Sequence, residues 1–292
     1  MVTEKRPKRG REFIIFVSIC ALVLIATSVT VGFWSAARMQ DQVIDQFNDE
    51  QLVIARSVSK LIERELGFLK NELLLMKGNL SRDALSIDEQ NRMIQNSLLR
   101  VVEKGVYRIE ITDVEGRIIQ SFMLDKDSSL KESRDSIDDD PMSGQKRISN
   151  EVYISQPEIK PNEMTITLTV FFNETSSRLM SFKLNLSRFL KPLLEDIHSG
   201  KSGYAWLIDE KGIFLFHPES DFVGKNAYEI RTRRNPSISY SKINFIQKEK
   251  MLKGREGKGY YFSGWHRGET GKIKKLISFY PYLSCIKNIT KL

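Results

Sequence analysis

The side chains able to do chemistry are few and scattered. The chain has three histidines, His198, His217 and His266. No two of them share the short spacing that lets one helix or hairpin offer both to a metal. His217 precedes Pro218, where closing a strand is a structural role that competes with ligation. Residues 253–259, Lys-Gly-Arg-Glu-Gly-Lys-Gly, are glycine-rich but lack the order of a phosphate loop and its strand-to-helix setting, and they read as a loop. No serine stands in the elbow pattern of a hydrolase. The expectation is a protein without a catalytic domain, cofactor or metal. The acidic stretch from Asp125 ends in Asp138, Asp139 and Asp140 before Pro141. Carboxylates suit Ca²⁺, yet the glycine and distal glutamate of a calcium loop are missing. The stretch can close over a pocket, hold a cation or be a solvated loop.

The elements that must position such groups begin with a membrane segment. Residues 13–34, FIIFVSICALVLIATSVTVGFW, are 22 in number and uncharged. As a helix they would measure roughly 33 Å at about 1.5 Å per residue, against a hydrocarbon core of about 30 Å. Lys5, Arg6, Lys8, Arg9 and Arg11 precede the segment and only Arg38 follows closely, which places the N-terminus in the cytoplasm. A cleaved signal peptide, with Ser35-Ala36-Ala37 as its small-residue site, competes with this reading, although the apolar run is long for one. The remainder, within a chain of 28% charged and 41% apolar residues, has an ordinary globular composition. Cys20 and Cys285 cannot form a disulfide framework, since one lies in the apolar segment.

A helical stretch follows. Phe47, Ile54, Leu61, Phe68 and Leu75 recur every seventh residue, with Val58, Ile62, Leu66, Leu69, Leu73 and Met76 filling that side. Such a stripe serves a coiled-coil homodimer or packs on the chain's own domain; Gln51 and Glu65 interrupt it. Gly78-Asn79 predicts a stop. Ser86 and Glu89 form a capping box for a second helix ending at Gly105.

From Tyr107 the period changes to two. Tyr107, Ile109 and Ile111 alternate with Arg108, Glu110 and Thr112, Asp113 to Gly116 form a hairpin turn, and 117–123 return. Residues 206–215 repeat this unit, with Asp209 and Gly212 each 96 positions after Asp113 and Gly116. Two copies of one α/β module follow from this. Strands are expected at 165–172 and 181–186 in the first copy, and at 259–265 and 273–282 in the second. The closing strand of the second copy is hard to find in 285–292. Residues 231–275 carry 13 Lys and Arg against 3 Glu, which suits either a face toward anionic lipid headgroups or ordinary solvated surface. A nucleic-acid partner is not expected outside the cytoplasm.

At this point the chain resembles the double Cache family, extracytoplasmic sensor domains of bacterial histidine kinases, chemoreceptors and cyclic-dinucleotide enzymes. The resemblance rests on 200–212, Gly-Lys-Ser-Gly-Tyr-Ala-Trp-Leu-Ile-Asp-Glu-Lys-Gly, then Phe216-His217-Pro218 and Val223-Gly224-Lys225. Val152-Tyr153-Ile154-Ser155 extends it more loosely. It implies an α+β, PAS-like fold with two antiparallel-sheet modules stacked along one long helix, and a small-molecule pocket in the membrane-distal module. The implied division is a cytoplasmic tail at 1–12, a transmembrane helix at 13–34, a long helix at 35–85, a distal module at 86–195 and an incomplete proximal module at 196–292. The implied pocket lining is Tyr153, Ser155, Thr165 and Thr167 on the sheet, with Asp139 or Asp140 from the loop. Members that bind amino acids carry a Trp-Tyr pair in the region matching 128–149, which here has neither residue, so an amino-acid ligand is not supported. The chain therefore reads as the input part of a receptor, cut before its output domain, or as an anchored binding or scaffold protein with no output of its own.

Overall fold

The computed structural model describes residues 8–81, 86–125, 127–133, 151–160, 163–172, 178–200, 203–264 and 271–281. Residues 1–50 form one unit and residues 51–292 the other. A single helix, α1 (Lys8–Leu80), supplies all the described part of the first and opens the second. In the first unit every side chain from 13 to 43 is exposed, including the whole apolar run. This helix is long and apolar enough to cross a membrane.

In the second unit α1 buries Ile62, Leu66, Leu69, Leu73 and Met76. The heptad positions Ile54, Phe68 and Leu75 are instead exposed. Spacings of three and four follow the 3.6-residue turn of a straight helix packed on a domain, whereas a strict seven drifts off that face. Glu65, which breaks the heptad pattern, pairs with Lys104 at 2.6 Å, and Glu72 pairs with Arg100 at 2.8 Å. The second contact holds α2 (Ile87–Val101) against α1, and the first holds the 3-10 turn that follows it, Val102–Lys104.

Ser86 caps α2 as its sequence predicts. Its Oγ accepts the Glu89 N–H at 3.3 Å, and the Glu89 carboxylate accepts the Ser86 N–H at 2.9 Å. Gly105, at φ 91°, turns the chain into β1 (Val106–Asp113). Next come β2 (Ile118–Leu124), β3 (Leu130–Ser133), β4 (Tyr153–Ile154), β5 (Glu158–Lys160), β6 (Glu163–Phe171) and β7 (Arg178–Asn185). They form one antiparallel seven-stranded sheet in the order β3-β2-β1-β7-β6-β4, with β5 also on β6. One face of it packs Ile109, Leu168, Val170, Met180 and Phe182 against the helices.

Asn185 ends β7 and caps α3 (Leu186–Leu194), its Oδ1 accepting the Arg188 N–H at 2.9 Å. This helix buries Phe189, Leu190 and Leu194 in the same core as Leu215 and Phe216, so the two modules share apolar packing. The second module holds β8 (His198–Ser199) with β9 (Gly203–Tyr204), β10 (Leu207–Ile208) with β11 (Phe214–Phe216), α4 (Ala227–Arg234), α5 (Ser241–Ile246) continued by a π-helical turn (Gln247–Met251), and the hairpin β12 (Gly257–Ser263) with β13 (Ile273–Phe279). Among the described residues its strands pair only two by two. The expected closing segment, 285–292, lies outside the described residues, as does Cys285. The Arg56 guanidinium pairs with Glu256 at 2.5 Å and ties this module to α1.

Candidate functional site

Side chains alternate across a strand, so residues between the core positions of β1, β6 and β7 share the opposite face. The register arranges them in two rows. Ser121 on β2 stands opposite Glu110, Glu110 opposite Ser181, Ser181 opposite Thr169, and Thr169 opposite Tyr153. Beside them Arg108 stands opposite Lys183, and Lys183 opposite Thr167. Ser155 completes this second row, its N–H donating to the Thr167 carbonyl at 2.8 Å.

The face is polar and buried together. Glu110 is 4% exposed, and Ser121, Thr165, Thr169 and Ser181 are buried as well. The Glu110 carboxylate lies 3.5 Å from both Arg108 Nη1 and Lys183 Nζ. Thr169 Oγ1 and Ser181 Oγ hydrogen-bond at 2.9 Å. Arg108 Nε and Ser121 Oγ are buried without a hydrogen-bond partner among the described residues. Buried polar atoms are nearly always paired, so two orphaned donors beside three charged groups mark a surface built for something polar.

Of the lining expected from the sequence, Tyr153, Ser155, Thr165 and Thr167 stand on this one face. Tyr153 packs edge-on against Phe171, with ring centroids 6.1 Å apart, and borders a small apolar cluster with Leu179. The Ser155 hydroxyl is taken up by the backbone, accepting the Thr167 N–H at 2.9 Å and donating to the Gln156 carbonyl at 3.0 Å. Asp139 and Asp140 lie outside the described residues. Arg108, Glu110, Ser121, Thr169, Ser181 and Lys183 were missed. The alternation at 108–112 announced Arg108 and Glu110, but the polar phase of a strand ordinarily faces water.

His217 follows β11 and is buried among rings. It stacks on Phe222 at 4.6 Å, meets Phe214 edge-on at 4.9 Å, and its Nδ1 accepts the Glu219 N–H at 3.0 Å. That bond turns the chain after the strand, which is a structural role. The basic run holds a surprise, because its first residue, Arg231, is buried rather than presented at the surface.

No protein-family model matches the chain, and no curated protein matches it. Solved structures do. The extracellular domain assigned to one histidine kinase superposes with a TM-score of 0.55 at 10% identity, covering 82% of this chain and 94% of that one. A second such domain gives 0.53 at 10%, with 85% and 96% covered. A domain of a sensory box/GGDEF family protein from Vibrio parahaemolyticus gives 0.53 at 11%, with 81% and 97% covered. The fold is that of extracellular sensor domains. This α+β arrangement of a long helix with tandem antiparallel modules is what the double Cache resemblance implied.

Proposed function

We propose that the chain is a membrane-anchored sensor whose distal module, residues 86–195, binds a small polar ligand and signals across the membrane. The observation that carries this reading is the buried polar face around Glu110, where Arg108 Nε and Ser121 Oγ have no hydrogen-bond partner among the described residues. A ligand with both an acceptor and a donor would satisfy those atoms and the Glu110 carboxylate together. Residues 13–34 would cross the membrane with the N-terminus inside, following the basic flank. The signal would be a population shift in the distal module carried by α1, as in the input part of a histidine kinase, chemoreceptor or diguanylate cyclase receptor. A homodimer along α1 would use Ile54, Phe68 and Leu75, which the domain leaves exposed.

The test uses the full chain in lipid nanodiscs. A library of small polar metabolites is screened for a concentration-dependent rise in melting temperature, which binding to the folded state alone produces. The hit should lose its effect in Glu110→Gln and Thr167→Val. Stabilising compounds that act equally on both variants would place binding elsewhere and end this reading. Phosphatase fusions after residues 12 and 38 read the orientation, with activity expected only at the second position.

A further inference from the structure

A second polar cluster lies in the other module, and the sensor reading makes no use of it. Arg231 on α4 is 4% exposed. Its Nη1 donates to Gln247 Oε1 at 2.5 Å, and its guanidinium carbon lies 5.3 Å from the ring centroids of both Trp206 and Phe214. Burial is the main influence on its proton affinity and pushes it below the ordinary arginine value, while the neighbouring phenols of Tyr261, Tyr204, Tyr228 and Tyr240 act the other way. Among the described residues no carboxylate pairs with it. A guanidinium keeps its charge throughout the pH range of folded proteins, so a buried one without an anion is held at a cost.

The groups beside it are left over in the same way. Gln247 is completely buried and spends Oε1 on Arg231, while its Nε2 has no hydrogen-bond partner among the described residues. Ser263 is 1% exposed, and its Oγ has no hydrogen-bond partner among the described residues. It lies two residues beyond Tyr261 on the same, buried side of strand β12, and the Tyr261 phenol is one of those that act on Arg231. The Tyr228 hydroxyl, three residues before Arg231 on α4, is a third orphan. A fourth, Asn244 Oδ1, lies one turn before Gln247. Gln247 itself opens the π-helical turn, a distortion that recurs at functional sites. Four orphans and a cation without a carboxylate partner, all counted among the described residues of one module, are too many to be packing errors of a stable interior.

We propose that Arg231, Gln247 and Ser263 form a second binding site, in the proximal module, for a small monocarboxylate. A guanidinium offers parallel N–H groups that match the two oxygens of a carboxylate. Gln247 Nε2 and the Ser263 hydroxyl are the buried donors that the site would add to the guanidinium. One buried guanidinium matches one negative charge, and the Trp206 and Phe214 rings supply a wall for an apolar body. The site is separate from the distal face, and either can stand without the other.

The full chain in nanodiscs is titrated with sodium benzoate, sodium propionate, inorganic phosphate and sulfate at constant ionic strength, with binding heat and melting temperature as readouts. A carboxylate should bind and raise the melting temperature. Gln247→Met and Ser263→Ala should each weaken it roughly tenfold, the effect of one lost hydrogen bond to a charged group. Without ligand, Ser263→Ala should melt no lower than the parent, because it removes an orphaned polar group, whereas Gln247→Met also takes the acceptor away from Arg231 and should melt lower. Arg231→Met should abolish binding; if it fails to fold, the other two variants decide. Thr165→Val, on the distal face, should leave the carboxylate affinity unchanged. No response to either carboxylate, a response to phosphate or sulfate alone, or affinities unaltered in Gln247→Met and Ser263→Ala would each overturn the proposal.

Discussion

Asp113 and Asp209 hold the same turn in the two modules, and the folded protein treats their protons in opposite ways. Each carboxylate accepts two backbone N–H groups through Oδ1, from Glu115 and Arg117 at 2.9 Å in the first and from Lys211 and Ile213 at 2.9 and 2.8 Å in the second. Each turn closes on a glycine of positive φ, Gly116 at 82° and Gly212 at 78°. The difference is the residue four places on. Arg117 pairs its Nε with the Asp113 carboxylate at 2.6 Å, while Ile213 at the matching position is apolar. For Asp113, burial works against ionisation, but the Arg117 side chain and the backbone donors outweigh it and lower the carboxyl's proton affinity. For Asp209, burial dominates and raises it, against the hydrogen bonds from Ile213 and Lys211.

The two turns should therefore respond to acid with opposite signs. A raised carboxyl contributes stability that is full below the ordinary aspartate value of about 3.9 and is lost as pH rises through the raised value. A depressed one contributes stability present above the ordinary value and lost as pH falls through the depressed value. Asparagine keeps the acceptor oxygen and removes the titration. Urea midpoints of the parent minus those of Asp209→Asn should fall with rising pH in the acidic range, and those against Asp113→Asn should rise. Parallel curves for parent and Asp209→Asn would show that Asp209 is not buried in this way.

Gly105 stands where an added methyl group has no room. At φ 91° its Cβ would lie 2.9 Å from the Asn185 carbonyl oxygen and 3.1 Å from the Phe189 nitrogen, at the junction of β7 with α3. Gly200 also has positive φ, 58°, but nothing among the described residues lies within 4 Å of its Cβ position. Gly200→Ala should cost about 1 kcal/mol for the left-handed conformation alone. Gly105→Ala adds overpacking and should cost about 2–4 kcal/mol. Chemical denaturation of the two variants checks the order, and equal losses would contradict the close approach.

Which face of α1 packs was only half legible in the sequence. The apolar residues were all visible, but two overlapping stripes run along the helix, and periodicity alone does not say which one meets a sheet. The buried stripe reads 62, 66, 69, 73 and 76, and Ile54, Phe68 and Leu75 of the seven-residue repeat are left outside. Leu69→Ala should cost about 2–5 kcal/mol, since Leu69 has no exposed surface. Leu75→Ala, at a position 60% exposed, should stay within about 0.5 kcal/mol of the parent. Melting in detergent separates the two, and a large loss at Leu75 would mean that the exposed stripe is itself covered by another chain.

The strand, turn and cap signals were legible because each is local chemistry: Ser86 with Glu89, Asp113 with Gly116, and the alternation through β1. The candidate site was not, for a physical reason. Alternation assigns residues to faces but does not say whether the polar face meets water, and here both faces of the sheet are covered. Arg231 was misread likewise, since a charge count over 231–275 cannot see that one of 13 cations is enclosed by rings.

The buried hydroxyl pair in the middle of the polar face offers the sharpest check on that covering. Thr169 and Ser181 face each other across β6 and β7 and share one hydrogen bond, each 5% exposed or less. Replacing Thr169 with valine keeps the shape and strands the Ser181 hydroxyl in a place without water. Leaving a buried polar group unpaired costs about 1–3 kcal/mol, whereas removing both partners is close to neutral. Thr169→Val should therefore destabilise by about 1–3 kcal/mol, and adding Ser181→Ala should restore the chain to within about 1 kcal/mol of the parent. Two independent losses would simply add, whereas here the second substitution should reverse most of the first. Strictly additive effects in urea titrations of the four proteins would mean that water reaches these hydroxyls, and that the polar face is an open surface rather than an enclosed one.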